Sequence, residues 1–371
     1  MKIILGIGIG INLLAIFQLL KGRNFKLIST KIAVLINMFW AIRIVFFILK
    51  DLDISLRFPI LLMLDQNLLL LDSVFLWLYS KSLLRNTTVK FKVLLHFLPF
   101  IIGVLLSLLS YSSVPDELIL EQYAKIDRNI SDKKSLFAID ILVFILAVIT
   151  VSTVYFGKSI RELKKFNTIL YNHFSSLKNI NANWILKFHS IWIFLFLIPI
   201  ILYFLNYMYP VINIKLFLSF MVIIQILFSL IFNSNVISQN YVSIPETNIS
   251  KQDDKPIEQF KEKLNELKKV LETSQYYQDE NLSLVKLSNY LSIKSTELTE
   301  IIKYSEFDNF YDLINTYRVE SIKKELITST EQIMIIAYDN GFNSKSAFNR
   351  IFKDKTGQTP SAFRNLTKNT S

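Results

Sequence analysis

Lys345, Ser346, Asn349, Arg350 and Lys353 fall within nine residues, at spacings of one, three, one and three. On a helix that spacing gathers them on one face, as a row of N–H and O–H donors with full positive charges among them. Such groups suit the phosphate oxygens and base edges of double-stranded DNA rather than the making or breaking of bonds. Fifty residues earlier, Ser295, Thr296, Thr299 and Lys303 form a weaker row of the same kind. Groups for covalent chemistry are scarce. With no cysteine and three histidines, the chain has no thiol nucleophile, disulfide framework or zinc ribbon, and no metal site or cofactor is expected. Neither a nucleophile–base–acid set nor a glycine-rich phosphate loop is found, so an enzyme is not expected. A second set of reactive types lies in apolar surroundings: Arg43, Asp65, Asp72 and Asp140. Charges there are costly and mark either a polar site or a buried pair that fixes helix packing. Asp65 and Asp72 share one helical face, and Arg43 is expected to pair with one of them.

The elements that must position the first row can be read locally. Ile333, Ile336 and Ala337 repeat at helical spacing up to Gly341, the residue that most easily takes the positive φ that ends a helix tightly. Asn343 or Ser344 can cap a second helix, which turns Phe348, Ile351 and Phe352 inward and leaves the polar row outside. Two short helices joined by such a turn make a helix-turn-helix, here about 331–354. From Asn340 onward there are six Lys or Arg against one acid, Asp354, the electrostatic footprint of a phosphate backbone.

The stretch from Glu331 to Arg364 resembles the AraC-type transcription regulators in Ile336-Ala337, Gly341-Phe342, Ser346, Phe348, Arg350, Phe352-Lys353, Gly357, Thr359-Pro360 and Phe363-Arg364. The resemblance extends back to about residue 276. It takes in a first helix-turn-helix at about 283–303, with Leu284, Leu287, Leu291 and Leu298 inside, and a connecting helix at about 309–327. It implies two modules that insert recognition helices into successive major-groove segments. The first module departs from the pattern: Glu300 stands where the second has Arg350, and Lys294 stands at the cap position. An acid facing phosphates repels them, so the second module is expected to carry most of the affinity.

Upstream the composition changes. Up to residue 232 there are 23 Lys or Arg against 11 Asp or Glu, and from 233 onward 18 against 19. The net charge of +11 therefore belongs to the apolar half. A spanning helix needs about 20 largely apolar residues. Seven stretches qualify: about 3–20, 32–49, 58–79, 93–110, 136–156, 184–207 and 211–232. Gly6 and Gly10 fit a helix-packing face, while Lys187, His189 and Lys215 near span ends read as snorkelling side chains. The loops after the first, third and fifth spans carry thirteen Lys or Arg against six in the alternate loops. The positive-inside rule then places the N-terminus outside and the C-terminal domain in the cytoplasm, on the inner (plasma) membrane. The loop 111–135 is the longest external segment.

A polar linker is expected over 233–256, with a coil-like reach of about 28 Å. An amphipathic helix follows, with Phe260, Leu264, Leu267 and Leu271 on one face. Packing onto the DNA-binding domain is preferred for it over a short dimerising seam.

The expected architecture is therefore all-α. A seven-helix transmembrane bundle (1–232), the linker, and a soluble domain with two helix-turn-helix modules (257–371) follow one another. The expected function is a membrane-embedded, sequence-specific regulator of transcription. Its partners are double-stranded DNA, the lipid bilayer, a signal or ligand the sequence does not name, and, on paired half-sites, a second copy as homodimer. The alternative is a membrane transporter or enzyme with an appended regulatory module.

Overall fold

The computed structural model describes residues 2–22, 24–52, 54, 58–84, 91–112, 138–178, 180–208, 214–239 and 257–370. Most of the loop 111–135 and of the expected linker, and the side chain of Asp140, lie outside the described residues. Among these residues the regular elements are helices, with one isolated antiparallel bridge, Phe174 to Ser283. They are α1 (Lys2–Lys21), α2 (Ile28–Asp51), α3 (Pro59–Ser82), α4 (Leu98–Ser112), α5 (Ala138–His173), α6 (Trp184–Met208) and α7 (Ile214–Ser238). After these come α8 (Ile257–Ser274), α9 (Leu284–Tyr290), α10 (Ser295–Lys303), α11 (Phe310–Thr328), α12 (Ile333–Asp339), α13 (Lys345–Thr356) and α14 (Pro360–Thr370). The chain forms two compact units. The first comprises 1–165 and 182–239; the second comprises 166–181 and 240–371. The boundary at Lys165 and Phe166 falls inside α5, so the end of that helix and the turn after it belong with the C-terminal unit.

Among the described residues five segments are long and apolar enough to cross a membrane: Ile3–Lys21, Ile28–Asp51, Lys92–Leu109, Val143–His173, which runs on past the unit boundary, and Ser219–Ser238. The other two stretches expected as spans form α3 and α6; of α6, Trp184–Leu195 counts as a shorter apolar helix. Helix α1 packs on α2 and α7, α2 on α3, and α3 on α4 and α6. Large apolar side chains such as Leu13, Phe17, Ile101, Leu105 and Phe194 point outward. On α1 the small residue at a close helix contact is Gly8, where a Cβ would come within 2.8 Å of Ile226 and 2.9 Å of Ile44; Gly103 of α4 is in close contact with Asn67 and Leu70 of α3 in the same way. Gly6 and Gly10, expected to form that face, have nothing within 4 Å of such a Cβ. They lie two residues either side of Gly8, which rotates them away from the contact.

Polar groups inside the first unit meet one another. The amides of Asn37 and Asn233 bond reciprocally at 2.8 and 2.9 Å, and Ser229 Oγ donates to Asn12 Oδ1 at 2.8 Å. The Asn37 pairing also explains why α7 continues to Ser238, into the stretch expected as linker: Asn233 is a buried interhelical contact, and Val236 after it is buried too. His189, expected to snorkel, is wholly buried, with its ring 5.2 Å from that of Phe156.

The C-terminal unit has two adjoining cores. In one, Phe260, Leu264, Leu267 and Leu271 of α8 join Leu284, Leu287, Leu298 and Ile301, so α8 packs on the helical domain as expected. In the other, Val319, Ile322 and Leu326 of α11 meet Ile336, Phe348 and Phe352. Helix α11 also gives Phe310, Leu313 and Ile314 to the first core and so contributes to both. A fully buried Leu or Phe contributes about 1.5–3 kcal/mol, so these few side chains hold both helix pairs against it.

The pairs α9–α10 and α12–α13 turn by the same backbone device. After α12, Gly341 N–H donates to Tyr338 O at 2.9 Å and Phe342 N–H to Ala337 O at 3.0 Å. After α9, Ser292 N–H donates to Asn289 O at 3.1 Å and Ile293 N–H to Ser288 O at 3.0 Å. Both are Schellman motifs with a left-handed residue, Gly341 at φ +83° and Ser292 at φ +55°. Gly341 has a second reason to be glycine: a Cβ there would sit 2.7 Å from the carbonyl oxygens of both Tyr277 and Gln278. Gly341→Ala is expected to destabilise the unit by more than about 1 kcal/mol, since it adds steric overlap to a strained φ. Ser292→Gly is expected to change it by less. Thermal unfolding of the purified variants, followed by circular dichroism, checks both.

Candidate nucleic-acid interface

Helix α13 begins at Ser344, whose extended backbone (φ −150°) lets Oγ accept from Ala347 N–H at 3.4 Å; it ends at Gly357, left-handed at φ +76°. Ser344 rather than Asn343 is thus the cap. Phe348, Ile351 and Phe352 seat the helix on the core. That fixes the opposite face, where Lys345, Ser346, Asn349, Arg350 and Lys353 are all exposed. The five residues of the row therefore lie on one solvent-facing side of one helix. Arg350 is held in place: Nη2 donates to Tyr311 Oη at 3.2 Å, and Nη1 is 3.6 Å from Asp354 Oδ2. Burial raises the Tyr311 phenol above its usual range, only partly offset by the Arg350 charge, so its oxygen remains protonated at neutral pH.

Helix α10 presents a different surface. Lys294 precedes it with no side-chain cap bond, the consequence of a donor-only side chain at that position. Ser295 Oγ lies 2.9 Å from Ser288 Oγ, and Thr299 Oγ1 donates to Ser295 O at 2.9 Å, so both hydroxyls have partners within the fold. Thr296 and Lys303 are exposed, with Lys303 3.7 Å from Glu300. Glu297 on the same helix pairs with Lys263 of α8. Lys263 and Lys303 near α10 are thus matched by acids, as Arg350 is by Asp354, whereas Lys294 ahead of α10 and Lys345 and Lys353 on α13 stand exposed.

In the first unit, the ion pair selects Asp72: Arg43 Nη1 is 2.6 Å from Asp72 Oδ2, and Trp40 Nε1 donates to Asp72 Oδ1 at 3.0 Å. Arg43 and Asp72 are both buried, while Asp65, two turns earlier, is half-buried. Engagement of both carboxylate oxygens is what a buried packing pair requires.

Sequence reasoning missed Arg318, which is 1% exposed on α11. Its Nε donates to Tyr277 O at 2.7 Å, Nη2 to Asp279 O at 2.8 Å, Nη1 to Ser175 O at 3.2 Å and Nη2 to Ser175 Oγ at 3.1 Å. Burial lowers its pKa to about 10, against the raising influence of Tyr311, Asp279 and Glu280, which leaves it charged at neutral pH. The signal was present in the sequence: an arginine four residues from both Ile314 and Ile322, in line with the buried residues of its helix.

Residues 287–366 match the family model described as a helix-turn-helix domain, a span that begins within α9 and takes in α10 to α13. An uncharacterised HTH-type transcriptional regulator from Staphylococcus aureus strain COL is 39% identical over 85 residues, which is 23% of this chain and 11% of that protein. The counterpart from strain N315 matches to the same extent. The matched stretch thus spans about a tenth of these curated relatives' own length. A solved structure of a protein of unknown function from Listeria innocua is 29% identical and covers 30% of this chain and 98% of its own, with a TM-score of 0.25.

The contrast between α13 and α10 leads to a graded outcome. Arg350→Ala is expected to weaken duplex binding by about 1–3 kcal/mol, and Lys303→Ala by less. Fluorescence anisotropy with a labelled duplex at several salt concentrations measures both; a larger loss from Lys303→Ala would overturn the assignment.

Proposed function

We propose that the protein is a membrane-embedded, sequence-specific DNA-binding regulator of transcription of the AraC type. The observation that carries this reading is the exposed row on α13, Lys345, Ser346, Asn349, Arg350 and Lys353, within a matched helix-turn-helix domain. Here α13 and α10 act as the recognition helices of two modules and α11 as their connecting helix. The major groove receives α13 with its donors toward base edges and phosphates. Ser295, Thr296, Thr299 and Lys303 of α10 add weaker contacts.

Five apolar helical segments among the described residues, each long enough to cross a bilayer, support the membrane part of the reading. All seven apolar stretches span in this proposal, with the N-terminus outside and the DNA-binding domain in the cytoplasm, as the loop charges require. The spanning region senses a signal at or within the membrane. That signal acts by favouring one of two states of the DNA-binding domain, which engages paired half-sites as a homodimer.

Chromatin capture of the tagged full-length protein tests the function. Discrete promoter-proximal sites are expected for the wild-type protein, with at least about a tenfold loss of enrichment for Arg350→Ala, in keeping with 1.4 kcal/mol per decade of binding. Fractionation should find both proteins in the membrane pellet. Equal enrichment of the variant, or no discrete sites for either protein, would refute the reading.

A further inference from the structure

The second compact unit includes 166–181, the end of α5 and the turn beyond it, although about seventy-five residues and two helices separate this segment from α8. Its contacts are specific. Ser175 lies at the centre: its N–H and Oγ both donate to Leu282 O, at 3.2 and 2.7 Å, and its carbonyl accepts from Arg318 Nη1 and Asn315 Nδ2, each at 3.2 Å. Phe174 forms the bridge to Ser283, the cap of α9. Further along, Ser176 Oγ donates to Asn343 Oδ1 at 2.9 Å, and Lys178 Nζ donates to Asn343 O at 2.8 Å. Asn343 directly precedes the cap of α13. Earlier in the segment, the Tyr171 ring meets that of Tyr311 edge-on at 5.1 Å, and Tyr311 is the residue that holds Arg350.

We infer that 166–181 is a docking strap for the DNA-binding domain, that the docked state is the one competent to bind DNA, and that Lys178 adds a phosphate contact beside α13. The inference rests on the DNA-binding reading above. With the strap in place, Lys345, Ser346, Asn349, Arg350 and Lys353 all remain exposed, so docking leaves the proposed reading face open. Docking also fixes the turn ahead of α13 through two bonds to Asn343 and supports Arg350 through the Tyr171–Tyr311 contact. Lys178 is itself exposed, and its ammonium has a neutral carbonyl as partner, so its charge is available to a phosphate. The strap continues α5, whose segment Val143–His173 is apolar enough to cross a membrane. A change in that helix therefore has a covalent route to the readout.

The chain contains no cysteine, which allows a direct test. Ser176→Cys with Asn343→Cys is made in the full-length protein, reconstituted in nanodiscs and treated with a short cleavable bis-thiol crosslinker. Binding to a short random-sequence duplex is then measured across a salt series, alongside Lys178→Ala. Docking predicts an efficient internal crosslink, and competence predicts that crosslinked protein binds at least as tightly as uncrosslinked. Lys178→Ala is expected to make the slope of log binding constant against log salt shallower by about one. Absence of the crosslink overturns the docking. A crosslinked protein that loses duplex binding and regains it on cleavage overturns the competent state, and an unchanged slope overturns the Lys178 contact. An efficient crosslink with no duplex bound by the unmodified wild-type protein refutes the DNA-binding reading and keeps the docking.

Discussion

A single guanidinium organises the C-terminal unit. Arg318 is almost wholly buried, and an arginine in that position is tolerable only if nearly every N–H finds an acceptor. The acceptors are main-chain carbonyls from separate stretches, Tyr277 and Asp279 on one side and Ser175 on the other. Carbonyls of short turns need donors as much as the guanidinium needs acceptors. The charge thus ties a one-turn 3-10 helix, Tyr276–Gln278, with the residue after it, and the turn at Ser175 to α11, the helix that both helix pairs share. The turn at Gly341 packs against carbonyls of the same stretch, Tyr277 and Gln278, so its lack of a Cβ belongs to the same arrangement.

The two helix pairs show how one backbone device can serve two surfaces. Their Schellman turns have the same bonding pattern, and each second helix is seated by apolar residues on its inner face. The outer faces differ. Around α10, Glu297 and Glu300 stand near Lys263 and Lys303, and the hydroxyls of Ser295 and Thr299 are used within the fold. Around α13 the donors point outward. Since opposite charges nearby largely cancel at the distance of an approaching phosphate, and Arg350 has Asp354 beside it as Lys303 has Glu300, the stronger field at α13 comes chiefly from the exposed Lys345 and Lys353.

The first unit handles polarity differently. Arg43 with Asp72, and Asn37 with Asn233, pair side chains across helices whose other contacts are apolar. Buried as they are, each such group would otherwise be left unsatisfied, so the pairs set which helices meet and at what register. Asp72 rather than Asp65 is selected because its two oxygens are reached at once by Arg43 and by Trp40 from the same neighbouring helix.

What the sequence by itself determined are features whose cause is local. The positive φ at Gly341, the outward face of α13 with Phe348, Ile351 and Phe352 behind it, and the apolar side of α8 all follow from residue type and helical period. Tertiary structure alone decided whatever depends on a partner distant in the chain. Gly8 rather than Gly6 or Gly10 is the close contact because Ile44 and Ile226 approach there, and α7 runs on to Ser238 because Asn233 finds Asn37. The turn after α5 joins the C-terminal unit because the hydrogen-bonding groups of Ser175 meet Leu282, Asn315 and Arg318. Periodicity records which way a side chain faces. Which group waits on the other side is decided by packing among segments that the chain order keeps far apart.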